Sequence, residues 1–588
     1  MQLLILLVVG GLGAAVSGWG LARGGRAAPV GAVAGGLALL LMLVLALTLD
    51  PPAAVDAGID PEFATQAAAG LFDGRLVPTA YLRLVLGLWA LDAVLLACIA
   101  WLLGGLAHLR GVLPATLAAM TGGVVVLASA DLAIGAAAAT ATGLAALIAV
   151  PPGRGRTLGA VAARELRLTL VVGAAVLAVV AVAPLTAALA LRGAGEAGGA
   201  PTPAVTAAGA SAMLGLGALA VAVAVGARLG AIPFHVRFSR IADAAAPIDL
   251  PLLLAWLAVP MAVIGLAIVD GQIAPLALPF AGERTIIVGL AFVTLVAASI
   301  AAFIQDDLRH ATGYLVIADG GLVLLGFAAL DPAAWGPARV WLVAMAASKT
   351  ALAAWSAVAE DRFETRSIPD LRGWLRRSPI LAAGLVVTVI ATFGVPGWIA
   401  YEARGTLARL VVDAPWDVLL VLAGFLTLPT YLRLLVLGIG PATSKVDRAA
   451  PERIVRRRGE GVSLLKESLK VEVEGAAGPG AAEDAGPEGA GDAGPGEAGV
   501  ASTVRATSRR APGTRSRAEL MGSAAGGWDA VARAGTRFGG ALRRDRTELL
   551  AAGVLALAVL AALTSWGALD LAGAAAEPAP TVSSAIGD

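Results

Sequence analysis

Fourteen apolar runs, each close to the length of a membrane-crossing helix, dominate this 588-residue chain. A helix needs about 20 apolar residues to cross a bilayer. Within lipid, every backbone polar group must be paired inside the segment, which a helix does by itself. The runs lie near 2–20, 28–48, 80–106, 111–130, 132–151, 167–191, 210–229, 250–270, 284–304, 311–330, 337–359, 378–401, 416–438 and 547–569. The first has no basic stretch ahead of it and is followed at once by others, so it reads as a retained helix rather than a signal peptide. The expected fold class is all-α, a polytopic membrane protein of about fourteen transmembrane helices.

Charge supports this class and excludes others. Only 14% of residues are charged, where a soluble domain carries about a quarter, so a cytosolic enzyme of this size is excluded. With 43 basic against 42 acidic residues, no global basic surface points to nucleic acid. Cys98 is the single cysteine, which excludes an intrachain disulfide, a thiolate metal site and an iron–sulfur cluster within the chain. No phosphate loop, nucleophile triad or metal-ligand spacing occurs. We therefore expect no cofactor in this chain and no catalysis by it alone.

Loop charges set the expected orientation. Arg23 and Arg26 follow the first run, Arg154, Arg156, Arg164 and Arg167 the fifth, Arg237 and Arg240 the seventh, and Arg362, Arg366, Arg372, Arg376 and Arg377 the eleventh. These exits should be cytoplasmic, while Asp50, Asp56, Asp60, Glu62 and Asp73 take the other side. Both termini should face outward, including the acidic tail at 570–588. The segment 441–546 should be cytoplasmic. Its 475–500 stretch of Gly, Ala, Pro and acidic residues has too little apolar content to bury a core and is expected to be a disordered linker. Nearer the last run, Trp528, Val531, Phe538 and Leu542 share one helical face, which reads as an interfacial helix or as part of a solvated linker.

A faint repeat links the two halves. Ser129-Ala130-Asp131-Leu132 precedes the fifth run and Gln305-Asp306-Asp307-Leu308 precedes the tenth. Five helices separate them, so the two units would be inverted, as in transporters built around a midplane site. Ionisable residues inside apolar runs are costly and mark functional sites by default. Arg228 stands at the end of the seventh run, before a Gly230/Pro233 break and His235; it either reaches freed carbonyls or snorkels to the interface. Lys349 sits mid-run between apolar flanks, where burial could ready it for proton exchange, or where neighbouring carbonyls could simply hold it. Asp319 lies within the tenth run. Glu402 and Arg404 follow a second break, Gly394-Val395-Pro396-Gly397.

These segments together resemble a known family. Arg228 with Pro233-Phe234-His235 and the later Ala246-Pro247 resembles the broken seventh helix of the antiporter-like membrane subunits of complex I. Asp307-Leu308-Arg309-His310 with Tyr314 and Gly321 resembles their Asp-Leu-Lys-Arg segment. Ser348-Lys349-Thr350-Ala351-Leu352 resembles their eleventh helix, and Gly394-Val395-Pro396 with Tyr401 and Arg404 their twelfth. The resemblance covers about 110–435. Mrp cation/proton antiporters and membrane-bound hydrogenases use the same subunit type.

The resemblance implies two inverted five-helix repeats with broken helices, at 111–270 and 284–440. They would be preceded by three helices in 1–110 and followed by the 441–546 linker and a last helix at 547–569. It implies a charged axis at the membrane midplane, coupled to redox chemistry in other subunits. Its relay would comprise Lys349, Asp319, Arg228, Arg404, Glu402, His235 and His310. The partners would be the other membrane subunits of a complex-I-like assembly, the lipid bilayer, and protons or monovalent cations, in a bacterial-type inner membrane. The sequence departs from the family pattern at several places. Thr140 stands where the family has a fifth-helix glutamate, and 132–164 holds no carboxylate. No ionisable residue falls between Asp249 and Asp270, so the eighth-helix lysine is missing near Leu257–Pro260. Arginines replace the lysines at 228 and 404, and Asp319 replaces a histidine. Relay residues are thus expected mainly in the C-terminal half. A non-conducting scaffold subunit and an unrelated secondary transporter stand as alternatives.

Overall fold

Helix is the only regular structure among the described residues, apart from two isolated bridges, Leu76 with Ser129 and Asp307 with Ser367. The structure, a computed structural model, describes residues 1–50, 76–149, 156–195, 202–269, 273–274, 280–413, 416–441 and 546–577. The expected linker at 475–500 and the expected interfacial helix around 528–542 lie outside them. Contacts place Met1–Val446 and Thr547–Asp588 in one unit and set Asp447–Arg546 apart.

Twelve described helices are long and apolar enough to cross a membrane, and two shorter ones complete the fourteen expected spans. In chain order they are α1 Gln2–Arg23, α2 Ala27–Leu47, α3 Ala80–Gly104, α4 Leu106–Ala128 and α5 Leu132–Leu144. There follow α6 Arg156–Gly195, α7 Thr202–Leu229, α8 Pro247–Ile268, α9 Ala281–Ile304, α10 Leu308–Ala329 and α11 Trp335–Phe363. The last are α12 Pro379–Phe393, resumed beyond a break as Ile399–Val411, α13 Trp416–Ile439 and α14 Arg546–Trp566. The fifth span is shorter as a helix than the apolar run that announced it, because the helix ends at Leu144.

Burial orders these helices. α8 and α11 are enclosed on all sides and α10 nearly so, whereas only about a third of α1 and α2 is covered. Leu4, Leu37, Leu41, Ile300 and Val436 point outward, the arrangement expected of lipid-facing residues. Small residues set the closest crossings, as in membrane helix pairs generally. A Cβ on Gly20 would come within 2.7 Å of Gly31 Cα, so α1 and α2 touch through their backbones there.

The two Asp-Leu segments have the same local structure. Asp131 caps α5 by accepting from Ala133 N at 2.7 Å and from Ile134 N, and Asp307 caps α10 by accepting from Arg309 N at 2.9 Å and from His310 N. A side-chain acceptor at this position satisfies amides that have no partner within the helix. Each half also holds a helix that breaks at a glycine of positive φ, at Gly230–His235 and at Gly394–Trp398. Gly230 and Gly394 take positive φ values of 72° and 67°, which an L side chain adopts only at a cost.

Candidate functional site

A charged group buried as fully as any among the described residues is assembled from four helical segments in the C-terminal half. Lys349 comes from the middle of α11 and is fully buried. Its Nζ lies 2.6 Å from Asp319 Oδ2 of α10 and donates to the Tyr431 hydroxyl of α13 at 2.9 Å. The contact with Asp319 is a close charge pair rather than an aligned hydrogen bond, since Oδ2 has no hydrogen-bond partner. Asp319 and Tyr431 are buried as well. Trp341, nearly two turns from the start of α11, reaches the Asp319 carbonyl at 3.4 Å through its indole N–H. The sequence left Asp319 on the neighbouring helix as a candidate partner for Lys349, in a relay or a simple ion pair, and the structure places the two groups in direct contact.

Arg404 adds the fourth segment. Its Nη2 donates to the Phe393 carbonyl at 2.7 Å, so it takes one of the carbonyls that the α12 break sets free. Its guanidinium lies 4.5 Å from the Phe425 ring centre, and within 6 Å of the Trp341 and Tyr401 rings. Rings bind a desolvated guanidinium through their negative faces. Phe393 stacks on Phe425 and meets Tyr431 edge-on, which ties the Arg404 end to the Lys349 end. Glu402, predicted beside Arg404, is exposed and accepts from Gly397 N at 3.3 Å. It stands apart from the buried pair.

In the N-terminal half the charges are arranged differently. Arg228 is buried at the end of α7 and donates to Thr169 Oγ1 of α6 at 2.9 Å. It does not reach an interface, which removes the snorkelling alternative. Glu165, one turn before Thr169 on α6, holds Arg237 through both carboxylate oxygens at 2.7–2.9 Å, and Arg237 closes back onto the Arg228 carbonyl at 2.6 Å. His235 lies in the break with its ring centre 6.4 Å from that of Tyr314. His310 meets Asp243 at 3.2 Å, and Arg309 bridges to Glu360. The predicted relay residues thus divide into a buried Lys349–Asp319–Arg404 group, a buried Arg228 group, and a more open set of His235, His310 and Glu402.

Sequence reasoning missed Tyr431, Thr169 and Glu165. Glu165 adjoins Arg164 at the edge of a run, which disguised it as an interface residue. Tyrosine offered a usable signal, because the chain has only four. Each of them lies against a cation or histidine: Tyr81 against Arg339, Tyr314 against His235, Tyr401 against Arg404 and Tyr431 against Lys349. Among the described residues no cluster of His, Cys, Asp and Glu could hold a metal ion.

Comparison with known proteins bears on the same segments. Residues 176–430 match the family described as NADH:quinone oxidoreductase/Mrp antiporter, transmembrane. Subunit N of the NADH-quinone oxidoreductase of Halorhodospira halophila is 27% identical over 224 residues, 36% of this chain and 44% of that protein. A second subunit N, from Syntrophobacter fumaroxidans, is 32% identical over 116 residues, 20% of this chain and 24% of that protein. The chain thus matches less than half the length of these curated relatives. In fold the likeness is longer. A chain of the Mrp complex of Dietzia sp. superposes with a TM-score of 0.60 at 16% identity, covering 98% of both chains. A chain of respiratory complex I from Thermus thermophilus gives 0.52 at 16% identity, covering 75% of this chain and 91% of that one. The fold is thus shared along nearly the whole length, and the segment that matches the NADH:quinone oxidoreductase/Mrp antiporter family, residues 176–430, includes both broken helices.

Proposed function

We propose that this chain is a proton-translocating, antiporter-like membrane subunit of a complex-I-related respiratory or hydrogenase assembly, with its relay in the C-terminal half. The observation that carries this reading is the fully buried Lys349–Asp319 pair with Tyr431 against it. Such a pair is stable while both partners are charged, and losing one partner strands the other. A proton arriving on Asp319 cancels the charge that holds Lys349 as an ammonium. Lys349 then releases a proton onward along the Tyr431 side. Transfer of the Asp319 proton to Lys349 restores the pair, so one proton enters and one leaves per cycle. Arg404 stays charged throughout, because a guanidinium does not deprotonate in proteins. Its part is to keep positive charge near Asp319 and to close the α12 break.

The Arg228–Thr169 contact and the Glu165–Arg237 pair make the N-terminal half an electrostatic and structural element in this proposal. Partners are other membrane subunits and lipid, and the location is a bacterial-type inner membrane with both termini outward. Lys349→Met and Lys349→Arg are expected to abolish proton pumping driven by the redox partner in native membranes while the assembly still forms. Arg228→Lys should leave pumping largely intact. Normal pumping by both Lys349 variants would point to a non-conducting scaffold subunit, the reading favoured by a first half whose cations are bound to fixed partners.

A further inference from the structure

Away from the Lys349 pair, the structure buries two carboxylates that no cation meets. Asp92 sits in the middle of α3 with 1% of its surface exposed, and neither carboxylate oxygen has a hydrogen-bond partner. The indole N–H of Trp256, on α8, is buried and has no hydrogen-bond partner either. Trp256 stacks on Trp89, one turn before Asp92, with ring centres 5.0 Å apart and planes 7° from parallel. The Trp89 indole N–H is also buried and unpartnered. Four buried polar atoms on Asp92, Trp89 and Trp256 are therefore without partners.

Asp249 lies seven residues before Trp256, in the 3₁₀ turn Pro247–Asp249 that opens this span. It too is buried, its Oδ1 has no partner, and its carboxylate rests on Gly111 of α4, where a Cβ would be 2.8 and 2.9 Å from the two oxygens. Among the described residues no cation forms an ion pair with either carboxylate. α2 has none, and on α4 Arg110 is exposed while His108 packs on Gly104. On α11, Lys349 is paired with Asp319, and Arg339 is bound to the carbonyls of Ala575 and Glu577.

An ionised carboxylate alone in an apolar interior costs so much that the group neutralises instead, and intramembrane acids without partners serve as proton carriers. The neighbours decide between a proton and a metal cation. A metal cation needs several oxygen ligands, no cluster of His, Cys, Asp and Glu among the described residues could hold one, and the stacked indoles of Trp89 and Trp256 beside Asp92 offer N–H donors only. We propose that Asp92 and Asp249 are a second pair of intramembrane proton-binding sites, placed on α3 and α8 where the chain lacks the expected eighth-helix lysine. This inference concerns proton occupancy and stands whether or not Lys349 conducts.

Infrared spectroscopy of the full-length chain in lipid tests it without any transport assay. A protonated carboxylic acid has a C=O stretch apart from both the amide bands and the ionised carboxylate bands. Asp92→Asn and Asp249→Asn should each remove one component from that region. Asp92→Glu should move its component rather than remove it, which guards against a variant that fails to fold. Trp256→Phe should shift the Asp92 component, because it deletes an indole N–H beside the carboxylate. Loss of ionised-carboxylate intensity in the Asn variants, or an unchanged C=O region in all four, overturns the proposal. Either result would leave the Lys349 experiment to decide the proposed function by itself.

Discussion

Lys349 and Asp319 depend on each other more than either depends on its own helix. Asp319→Asn should strand a buried ammonium and destabilise the protein by about 3–5 kcal/mol. The double variant Asp319→Asn/Lys349→Met should recover much of that loss, since it removes both charges. Thermal unfolding of the detergent-solubilised protein checks both, and equal losses in the single and double variants would mean that the pair is not coupled. Tyr431→Phe deletes the hydroxyl that accepts from the Lys349 ammonium and keeps the ring against Phe393, so its cost should be about 1.5–3 kcal/mol. Arg404→Lys is not conservative here. An ammonium cannot both reach the Phe393 carbonyl and lie over Phe425 as a planar guanidinium does.

The two interrupted helices are the elements on which the buried charges depend. Each break turns on a glycine with positive φ, and each leaves a carbonyl that an arginine takes: Arg237 on Arg228 and Arg404 on Phe393. An L residue in the left-handed region costs roughly 1–2 kcal/mol. A Cβ on Gly230 would also overlap the Phe238 ring, whereas at Gly394 the nearest atom is Tyr401 Cβ at 3.1 Å. Gly230→Ala should therefore destabilise more than Gly394→Ala. Gly36, with nothing near its missing Cβ on the outer face of α2, should accept alanine without loss. Unfolding midpoints for the three variants give the order, and equal effects at Gly36 and Gly230 would contradict it.

At the scale of the whole molecule, the end of the described chain is bound back onto the helical unit. Arg339 of α11 donates to the Ala575 and Glu577 carbonyls at 2.8 and 2.7 Å and lies on the Tyr81 ring of α3. The Glu577 side chain accepts from Ala80 N at 3.0 Å, at the first turn of α3. Arg339→Leu removes two charge-assisted bonds worth about 1.5–3 kcal/mol each. Limited proteolysis should then cut near 571–577 before the helices unfold, and an unchanged digestion pattern would show that the strap holds without Arg339. The proposed orientation has its own check. A reporter fused near residue 480 should be cytoplasmic and one fused at 588 outward, with α14 between them; both on one side would break it.

The fold class was legible because apolar length is a property of sequence alone: a run of about twenty apolar residues has one stable state in a bilayer. All fourteen runs correspond to helices, and the two Asp-Leu segments announced the caps of α5 and α10. The breaks were legible for a similar reason, since Gly230, Pro233, Gly394 and Pro396 act through their own backbone torsions. Lys349 and Asp319 each stood out as a charge in an apolar run, and Asp319 could be named as a candidate partner, but their actual contact and the part of Tyr431 could not be read. Asp319 and Tyr431 lie 30 residues before Lys349 and 82 residues after it, and only helix packing brings the three together. Asp92 was read as an unremarked residue of the third run because its meaning depends on what is absent around it. A burial cost is local to a residue, whereas the charges that offset it arrive from other helices, and tertiary structure alone decides which buried groups are paired and which are left to hold a proton.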